Sequence, residues 1–329
     1  MIRTTFVHML AAGALSLIAQ GAELPALAVV EKVAGRVGFY NNEGKRIGQV
    51  NVGAFPHEAV FDREAKLLYV SVNGVLWMTE DTQGANKIAV VDVAAMKKIG
   101  DIDLGRFHRP HGIAQIPGSG YILATTERPF GLVLVDPKSK KVIRDFDVKG
   151  KSPHMVMLSH DNNRAWVSNT DSDSVASVNL KTGATKVIST GAKPQGGVLD
   201  PSGKRLYLTV SGANQLAIID AQSDTIAGAI AIGKQPGRVA ITPDGKTLVY
   251  NLQGDLAVGF ADTTTGKQTG TLDIKGRSLS LTMTRDGRRA FAGVQDQDRI
   301  VEIDVEKRKV IREIQLPPNS GPDPVIPLE

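Results

Sequence analysis

The sequence predicts an all-β protein built by repetition of one four-stranded unit. Three landmarks recur along the 329 residues, and successive copies of the second lie 41 to 54 residues apart. The first is a polar turn with Gly or Asn, followed by an apolar run, as in tight hairpins that need a positive φ. It occurs at residues 200–207, 242–249 and 284–291, with weaker copies at 61–68 and 159–166.

The second landmark precedes each turn and consists of a proline followed by a short apolar run. Its copies begin at Pro56, Pro110, Pro153, Pro194 and Pro236, with Ser278 in the same phase. A third landmark is an apolar strand that ends in Asp or Asn, at Asp92, Asp136, Asn179, Asp220, Asp262 and Asp304. Each unit therefore holds four short strands, which is the pattern of a β-propeller blade.

The number of blades follows from the two ends of the chain. Six units start inside the sequence, and the ends together supply a seventh. Residues 322–328 provide its innermost strand, while residues 27–33, 36–40 and 46–52 provide the other three. Such closure leaves no free edge between blades. We therefore predict seven four-stranded antiparallel blades; six blades with a loose tail is the alternative.

Composition excludes several kinds of chemistry. The chain has no cysteine, so disulfides, iron–sulfur clusters, thiolate zinc sites and a Cys nucleophile are all ruled out. The net charge of +5 comes from interleaved basic and acidic residues, and aromatic residues make up only 5% of the chain. A nucleic-acid-binding track would combine basic residues with exposed aromatic ones. We do not expect nucleic acid as a partner.

The first 28 residues resemble a signal peptide. Arg3 gives a small positive region, and the apolar segment 7–19 is too short to span a bilayer. Cleavage is predicted after Ala22 or after Ala28, which leaves a single propeller domain over residues 29–329. No other segment is long and apolar enough for a membrane span. The expected location is the periplasm or the exterior of the cell.

The repeat resembles the YVTN family of β-propellers, which is named for a Tyr-Val-Thr-Asn strand end. Segments 69–72, 166–169 and 207–210 correspond to that strand end, and segments 191–196 and 233–237 match the family's Gly-x-x-Pro element. The resemblance covers the whole chain after the signal peptide. It implies the fold but leaves function open, because propellers serve as binding proteins, lactonases, lyases and redox subunits.

The residues just after the prolines should form a ring around one mouth of the central channel. Three histidines occupy this phase in consecutive blades, namely His57, His111 and His154. Imidazole suits Zn, Cu or Fe, and three histidines with an open position form a common metal site. The three residues are therefore candidate metal ligands, with a simple channel lining as the alternative.

The same mouth supplies the remaining candidates for ligand binding. The full predicted set is His57, His108, Arg109, His111, Glu127, Arg128, His154, Gln195 and Arg238. The leading interpretation is a module that binds a small molecule or a protein partner at this mouth. Alternatives are a metal-dependent enzyme and a periplasmic metal-handling or redox-associated protein.

A mouth with His, Arg and Glu also resembles that of seven-bladed lactonases and muconate-cycloisomerising enzymes. The resemblance implies that His111 or Glu127 would handle a proton, while Arg109 would stabilise a carboxylate or an oxyanion. A lactonase-like enzyme at this mouth is therefore a further alternative to the binding module.

Overall fold

The computed structural model describes residues 24–329, in which strands form seven separate antiparallel sheets of four. Each sheet is one blade. The strands nearest the start of the chain are β1 (Leu27–Glu31), β2 (Arg36–Tyr40) and β3 (Arg46–Asn51). Blade 1 consists of β4 (Pro56–Asp62), β5 (Leu67–Val72), β6 (Lys87–Asp92) and β7 (Lys97–Asp103). Blade 2 consists of β8 (His108–Gln115), β9 (Ile122–Arg128), β10 (Phe130–Asp136) and β11 (Lys141–Phe146).

The remaining blades continue in the same order. Blade 3 consists of β12 (Pro153–Leu158), β13 (Arg164–Asn169), β14 (Ser174–Asn179) and β15 (Thr185–Ser189). Blade 4 consists of β16 (Pro194–Leu199), β17 (Arg205–Val210), β18 (Gln215–Asp220) and β19 (Thr225–Ala231). Blade 5 consists of β20 (Pro236–Ile241), β21 (Thr247–Leu252), β22 (Ala257–Asp262) and β23 (Lys267–Asp273). Blade 6 consists of β24 (Ser278–Met283), β25 (Arg289–Val294), β26 (Arg299–Asp304) and β27 (Lys309–Gln315).

The seventh blade joins the two ends of the chain. The last strand, β28 (Pro322–Pro327), is its innermost strand, and the sheet order is β28-β1-β2-β3. Ala28 pairs with Ile326, and Val29 pairs with Val325. The seven-bladed prediction and its closure are thus confirmed, and the six-bladed alternative is wrong because β28 is paired rather than loose.

The core lies between neighbouring blades rather than inside any single one. Each sheet presents Val, Ile, Leu and Ala to the next, as in the cluster where Val30 and Phe39 of blade 7 pack with Leu68 and Val70 of blade 1. Alternating strand residues point to opposite faces of a sheet, so every blade buries both faces against its neighbours. Stability is therefore shared around the ring.

Regular helix is restricted to three short 3₁₀ turns in the described residues, at Thr170–Ser172, Ser211–Ala213 and Gln295–Gln297. Within residues 24–329 no helix is long and apolar enough to cross a membrane. Ala22 and the rest of the predicted signal peptide up to residue 23 lie outside the described residues. Ala28 is fully buried inside β1.

Candidate functional site

The mouth of the channel is formed where the innermost strand of each blade begins. In blades 1 to 6 this strand shows a register irregularity within its first few residues, for example between Pro56 and Ala59. Such bulges redirect side chains locally. The residues that directly follow the landmark prolines, or follow Ser278 in blade 6, form a ring of seven, one from each blade. In blade order they are His57, His111, His154, Gln195, Gly237, Leu279 and Asp323.

A repeated hydroxyl group fixes this ring from behind. In blades 1 to 4, a Ser or Thr in the second strand donates a hydrogen bond from its hydroxyl to a backbone carbonyl oxygen. The acceptor is the carbonyl of the ring residue in the next blade. Ser71 donates to His111 at 2.7 Å, Thr125 to His154 at 2.8 Å, Ser168 to Gln195 at 2.6 Å and Thr209 to Gly237 at 2.6 Å. The hydroxyl of the Tyr-Val-Thr-Asn-like segment therefore has a physical role, because it links adjacent blades and positions the mouth.

The three ring histidines lie against one another. The centroids of His57 and His111 are 4.6 Å apart, and those of His111 and His154 are 4.3 Å apart, both in edge-to-face geometry. His57 Nε2 lies 2.9 Å from the carbonyl oxygen of Val75, and His111 Nδ1 lies 3.1 Å from Glu127 Oε1. His154 forms a hydrogen bond with the backbone of Gln195. The predicted cluster of three histidines is therefore present.

These histidines are held in the neutral form. Burial lowers the pKa of each imidazole well below its ordinary value, and nearby positive charges lower it further. Lys32 acts on all three, and Arg238 acts on His111 and His154. Neutral imidazole carries one N–H donor and one nitrogen lone pair, so each ring can donate one hydrogen bond and accept another.

Two ion pairs complete the mouth. Arg238 of blade 5 pairs with Glu58 of blade 1, across the channel from it; the Glu58 side chain is buried, and the Arg238 side chain is 12% exposed. Lys32, in the turn after β1, lies 3.5 Å from Asp323 of β28. A Cβ at Gly237 would come within 2.6 Å of the side chain of Gln253 and 3.1 Å of that of Asn251, so a larger residue at the ring position of blade 5 would require these side chains to move. The neighbouring Arg238 occupies that sector instead.

These groups surround a cavity of about 450 Å³. Its lining includes all three histidines, Gln195, Arg238, Lys32 and Asp323, and its rim carries Lys193 and Arg277. Residues 76–79 also line the cavity; they belong to the long β5–β6 connection, residues 73–86, which we call the insertion loop. The cavity thus has charged and polar walls on most sides and the apolar side chains of Leu76, Trp77 and Met78 on one side.

The insertion loop is held down by Arg109. Its guanidinium donates to the carbonyl oxygens of Glu80 and Met78, each at 3.0 Å, and its Nε lies 3.0 Å from Glu127 Oε2. Arg109 is only 2% exposed. Burial raises the pKa of Glu127 to about 7, against the lowering effect of Arg109. A continuous chain of contacts therefore runs from the loop through Arg109 and Glu127 to His111.

The structure places eight of the nine predicted ligand-binding residues at two cavities, and His108 at neither. His57, His111, His154, Gln195 and Arg238 line the mouth cavity. Arg109, Glu127 and Arg128 line a separate cleft of about 540 Å³ next to Met78.

The outer members of the set are engaged with the insertion loop. His108 contacts Gln83, and Arg128 pairs with Asp81 at 2.8 Å. The three catalytic candidates, Glu127, Arg109 and His111, are in direct contact, and their catalytic roles stay a prediction.

Four charged residues of the cavity, Lys32, Lys193, Arg277 and Asp323, are absent from the set predicted from the sequence. Asp323 follows Pro322 in the same phase as the other ring residues, so the repeat could have revealed it. Lys193 and Arg277 each directly precede the first residue of the proline landmark, as Gln235 and Arg109 do in other blades. Lys193, Gln235 and Arg109 have left-handed φ values of 51° to 57°. Lys32 carries no repeat signal, because it lies in the turn of the closing blade.

The three histidines have one feature that favours a metal ion and two features that disfavour it. Nδ1 of His57 and Nδ1 of His154 have no hydrogen-bond partner, which is the feature that favours a metal. Among residues 24–329, however, no three His, Asp or Glu side chains are arranged to hold one. The cations Lys32 and Arg238 would also repel a divalent ion. The residues fit a metal poorly, and binding of Zn, Cu or Fe remains an untested prediction.

Comparisons with known proteins agree with the fold. No family model and no curated protein matches the sequence. Hydrazine synthase of Kuenenia stuttgartiensis is 15% identical with a TM-score of 0.66, and the match covers 79% of this chain and 86% of that one. A functionally unknown protein of Desulfotomaculum acetoxidans is 11% identical with a TM-score of 0.75, over 91% and 98% of the two chains.

A third solved structure, the dihydro-heme d1 dehydrogenase NirN in complex with DHE, is 14% identical with a TM-score of 0.67. That match covers 93% of this chain and 76% of the other. At these identities the likeness shows the propeller architecture, and a propeller supports many functions.

Proposed function

We propose that this propeller binds a small anionic molecule in the cavity at its channel mouth. The observation that carries the proposal is the charge around the cavity. Lys193 and Arg277 are exposed at its rim, and neither has an ion-pair partner among residues 24–329. Lys32 and Arg238 lie deeper, each paired with one carboxylate. The lining therefore has a positive surplus at the end that meets solvent.

The shape of the site supports binding. Ligand cavities of a few hundred Å³ with a small number of convergent polar groups are the usual small-molecule sites of proteins, and this cavity measures about 450 Å³. Two of the similar structures are named as a synthase and a dehydrogenase, the latter with a bound ligand. Those names add only that this architecture can host ligand chemistry.

Citrate is a suitable first probe, because it is a compact anion without chemical reactivity toward the protein. We expect citrate to raise the midpoint of thermal unfolding at low ionic strength, since a ligand that binds only the folded state stabilises it. Replacing Lys193 and Arg277 by Gln should remove most of that shift. The matched control replaces Lys181 and Arg288 by Gln, two exposed cations in turns at the opposite end of the strands. An equal shift in both double variants would refute the mouth as the anion site.

We also propose that the chain is an exported member of the YVTN family, with cleavage after Ala22. Cleavage after Ala28 would remove Leu27 and Ala28, two buried residues of β1 whose partners lie in β2 and β28. The intact mass of protein recovered from the periplasm should therefore correspond to a chain that begins at Glu23. A chain that begins at Val29, or a full-length chain in the cytoplasm, would contradict this expectation.

A further inference from the structure

The deep part of the mouth cavity contains buried acceptor atoms without partners. Nδ1 of His57, Nδ1 of His154 and Oδ1 of Asp323 form no hydrogen bond, and all three residues are more than nine-tenths buried. A carbonyl oxygen only accepts, so the Nε2 of His57 must carry the proton that it shares with Val75. Its Nδ1 is then a lone pair. A buried polar atom without a hydrogen bond destabilises the folded protein, so these atoms indicate where a ligand's donor belongs.

The donor that suits these atoms is an uncharged hydroxyl. An ammonium group would be attracted to Asp323 but would lie close to Lys32, which is 3.5 Å from the same carboxylate. Burial lowers the pKa of His57 and His154, and the charge of Lys32 lowers both further, with Arg238 also acting on His154. The same positive potential that disfavours a proton on imidazole disfavours any cationic ligand group. A hydroxyl donates a hydrogen bond without carrying charge.

The insertion loop gives the cavity an apolar wall. Leu76, Trp77 and Met78 line it, and Trp77 is 46% exposed. Lys32 Nζ lies 5.5 Å from the centroid of the Trp77 ring. Large half-exposed aromatic residues at a cavity provide flat contact area for another ring, and methionine sulfur also packs well against aromatic groups. This wall is suited to an aromatic or similarly flat apolar body.

We infer that the ligand is a phenolic carboxylate, with its hydroxyl at His57 or His154, its ring against Trp77 and Met78, and its carboxylate at Lys193 and Arg277. The inference rests on the proposed function, because it assigns the anionic end to the same two rim cations. The inference adds the orientation of the ligand, with its carboxylate at the rim and its hydroxyl deep in the cavity. It also adds two chemical groups that the ligand must carry, a hydroxyl and an aromatic ring. Neither a simple inorganic anion nor a polyol combines a carboxylate, an aromatic ring and a hydroxyl.

Three probes separate these groups: 4-hydroxyphenylacetate, phenylacetate and 4-methylphenol. Calorimetric titration of the mature protein at pH 7 should show 4-hydroxyphenylacetate binding at least about 10-fold more tightly than phenylacetate, since the latter leaves the buried acceptors unpaired. 4-Methylphenol, which lacks the carboxylate, should also bind at least about 10-fold more weakly, because it forms no charge-assisted contact at the rim.

Substitutions test whether the buried histidines cause the preference for 4-hydroxyphenylacetate over phenylacetate. Replacing His57 and His154 by Phe should bring 4-hydroxyphenylacetate down to the affinity of phenylacetate. His160→Phe, at an exposed histidine next to the turn that follows β12, should leave the preference unchanged. If the double variant does not fold, the ratio of the three affinities in the unmodified protein decides alone.

Each outcome bears on one proposal. Equal binding of 4-hydroxyphenylacetate and phenylacetate overturns the phenolic assignment and leaves anion binding intact. The same holds if none of the three binds while citrate does. Failure of citrate and all three aromatic probes overturns the proposed function itself.

Discussion

Deletion of residues 322–329 is expected to abolish the cooperatively folded propeller. The deletion removes β28, the innermost strand of blade 7, and exposes β1, whose residues are all buried. It also removes the fully buried Val325 and the contacts of β28 with the adjoining blades 1 and 6. Burial of one large aliphatic side chain contributes about 1.5–3 kcal/mol, and a whole protein has a net stability of about 5–15 kcal/mol. The free energy lost with an entire inner strand is therefore comparable to the net stability of the whole protein.

The matched control for this truncation removes only Leu328 and Glu329, which follow β28. It loses one backbone hydrogen bond to Ala26, the surface contacts of Glu329 with Arg63 and Arg285, and the packing of the partly buried Leu328. The midpoint of urea unfolding should therefore fall much less than in the longer truncation. Circular dichroism during urea titration measures both chains. A truncation at residue 321 that unfolds cooperatively at the midpoint of the full chain would show that β28 does not close the ring.

Arg238→Met is expected to give the largest effect of any single substitution at the mouth. Arg238 is paired with Glu58 across the channel; Glu58 is buried, and the side chain of Arg238 is 12% exposed. Burial raises the pKa of the Glu58 carboxyl, and Arg238 is the main charge that opposes this rise. Removing one member of a buried pair leaves the other charge uncompensated, at a cost of about 3–5 kcal/mol. The free energy of unfolding from urea titration at pH 7 should fall by that amount.

The double variant with Arg238→Met and Glu58→Gln provides the comparison. It removes both charges, so it should recover most of the stability that the single variant loses. Citrate binding should remain weakened in the double variant, because the deep cation is absent in both. Equal stability of Arg238→Met and the unmodified protein would mean that the pair does not bridge the channel in solution.

The propeller could be predicted from the sequence because its signals are local and repeated. A landmark proline is the first residue of the inner strand in five blades, while β8 begins two residues earlier at His108 and β24 begins at Ser278. The polar turns follow the ends of the inner strands. The tail beginning at Pro322 was identified as the closing strand by the same periodicity. Identical phase in consecutive blades also sufficed to place His57, His111 and His154 side by side, because a propeller relates equivalent positions by rotation.

The rest of the site depends on side-chain directions that no repeat encodes. Arg109 immediately precedes the landmark proline of blade 2, yet its guanidinium binds the carbonyl oxygens of the insertion loop. The partners of this long, flexible side chain depend on the path of the insertion loop. That path has no counterpart in the other blades. Lys32 is similar, since a turn residue of the closing blade reaches the cavity only after the ring has closed.

The central claim is that the channel mouth is an anion site lined by three neutral histidines. Nuclear magnetic resonance of the imidazole nitrogens tests it most directly. We expect His57, His111 and His154 to remain neutral at pH 5.5, because burial and the charge of Lys32 lower the pKa of each. Their resonances should shift when citrate is added, while those of His160 should not. Protonated rings at pH 5.5, together with resonances that ignore saturating citrate, would contradict the account.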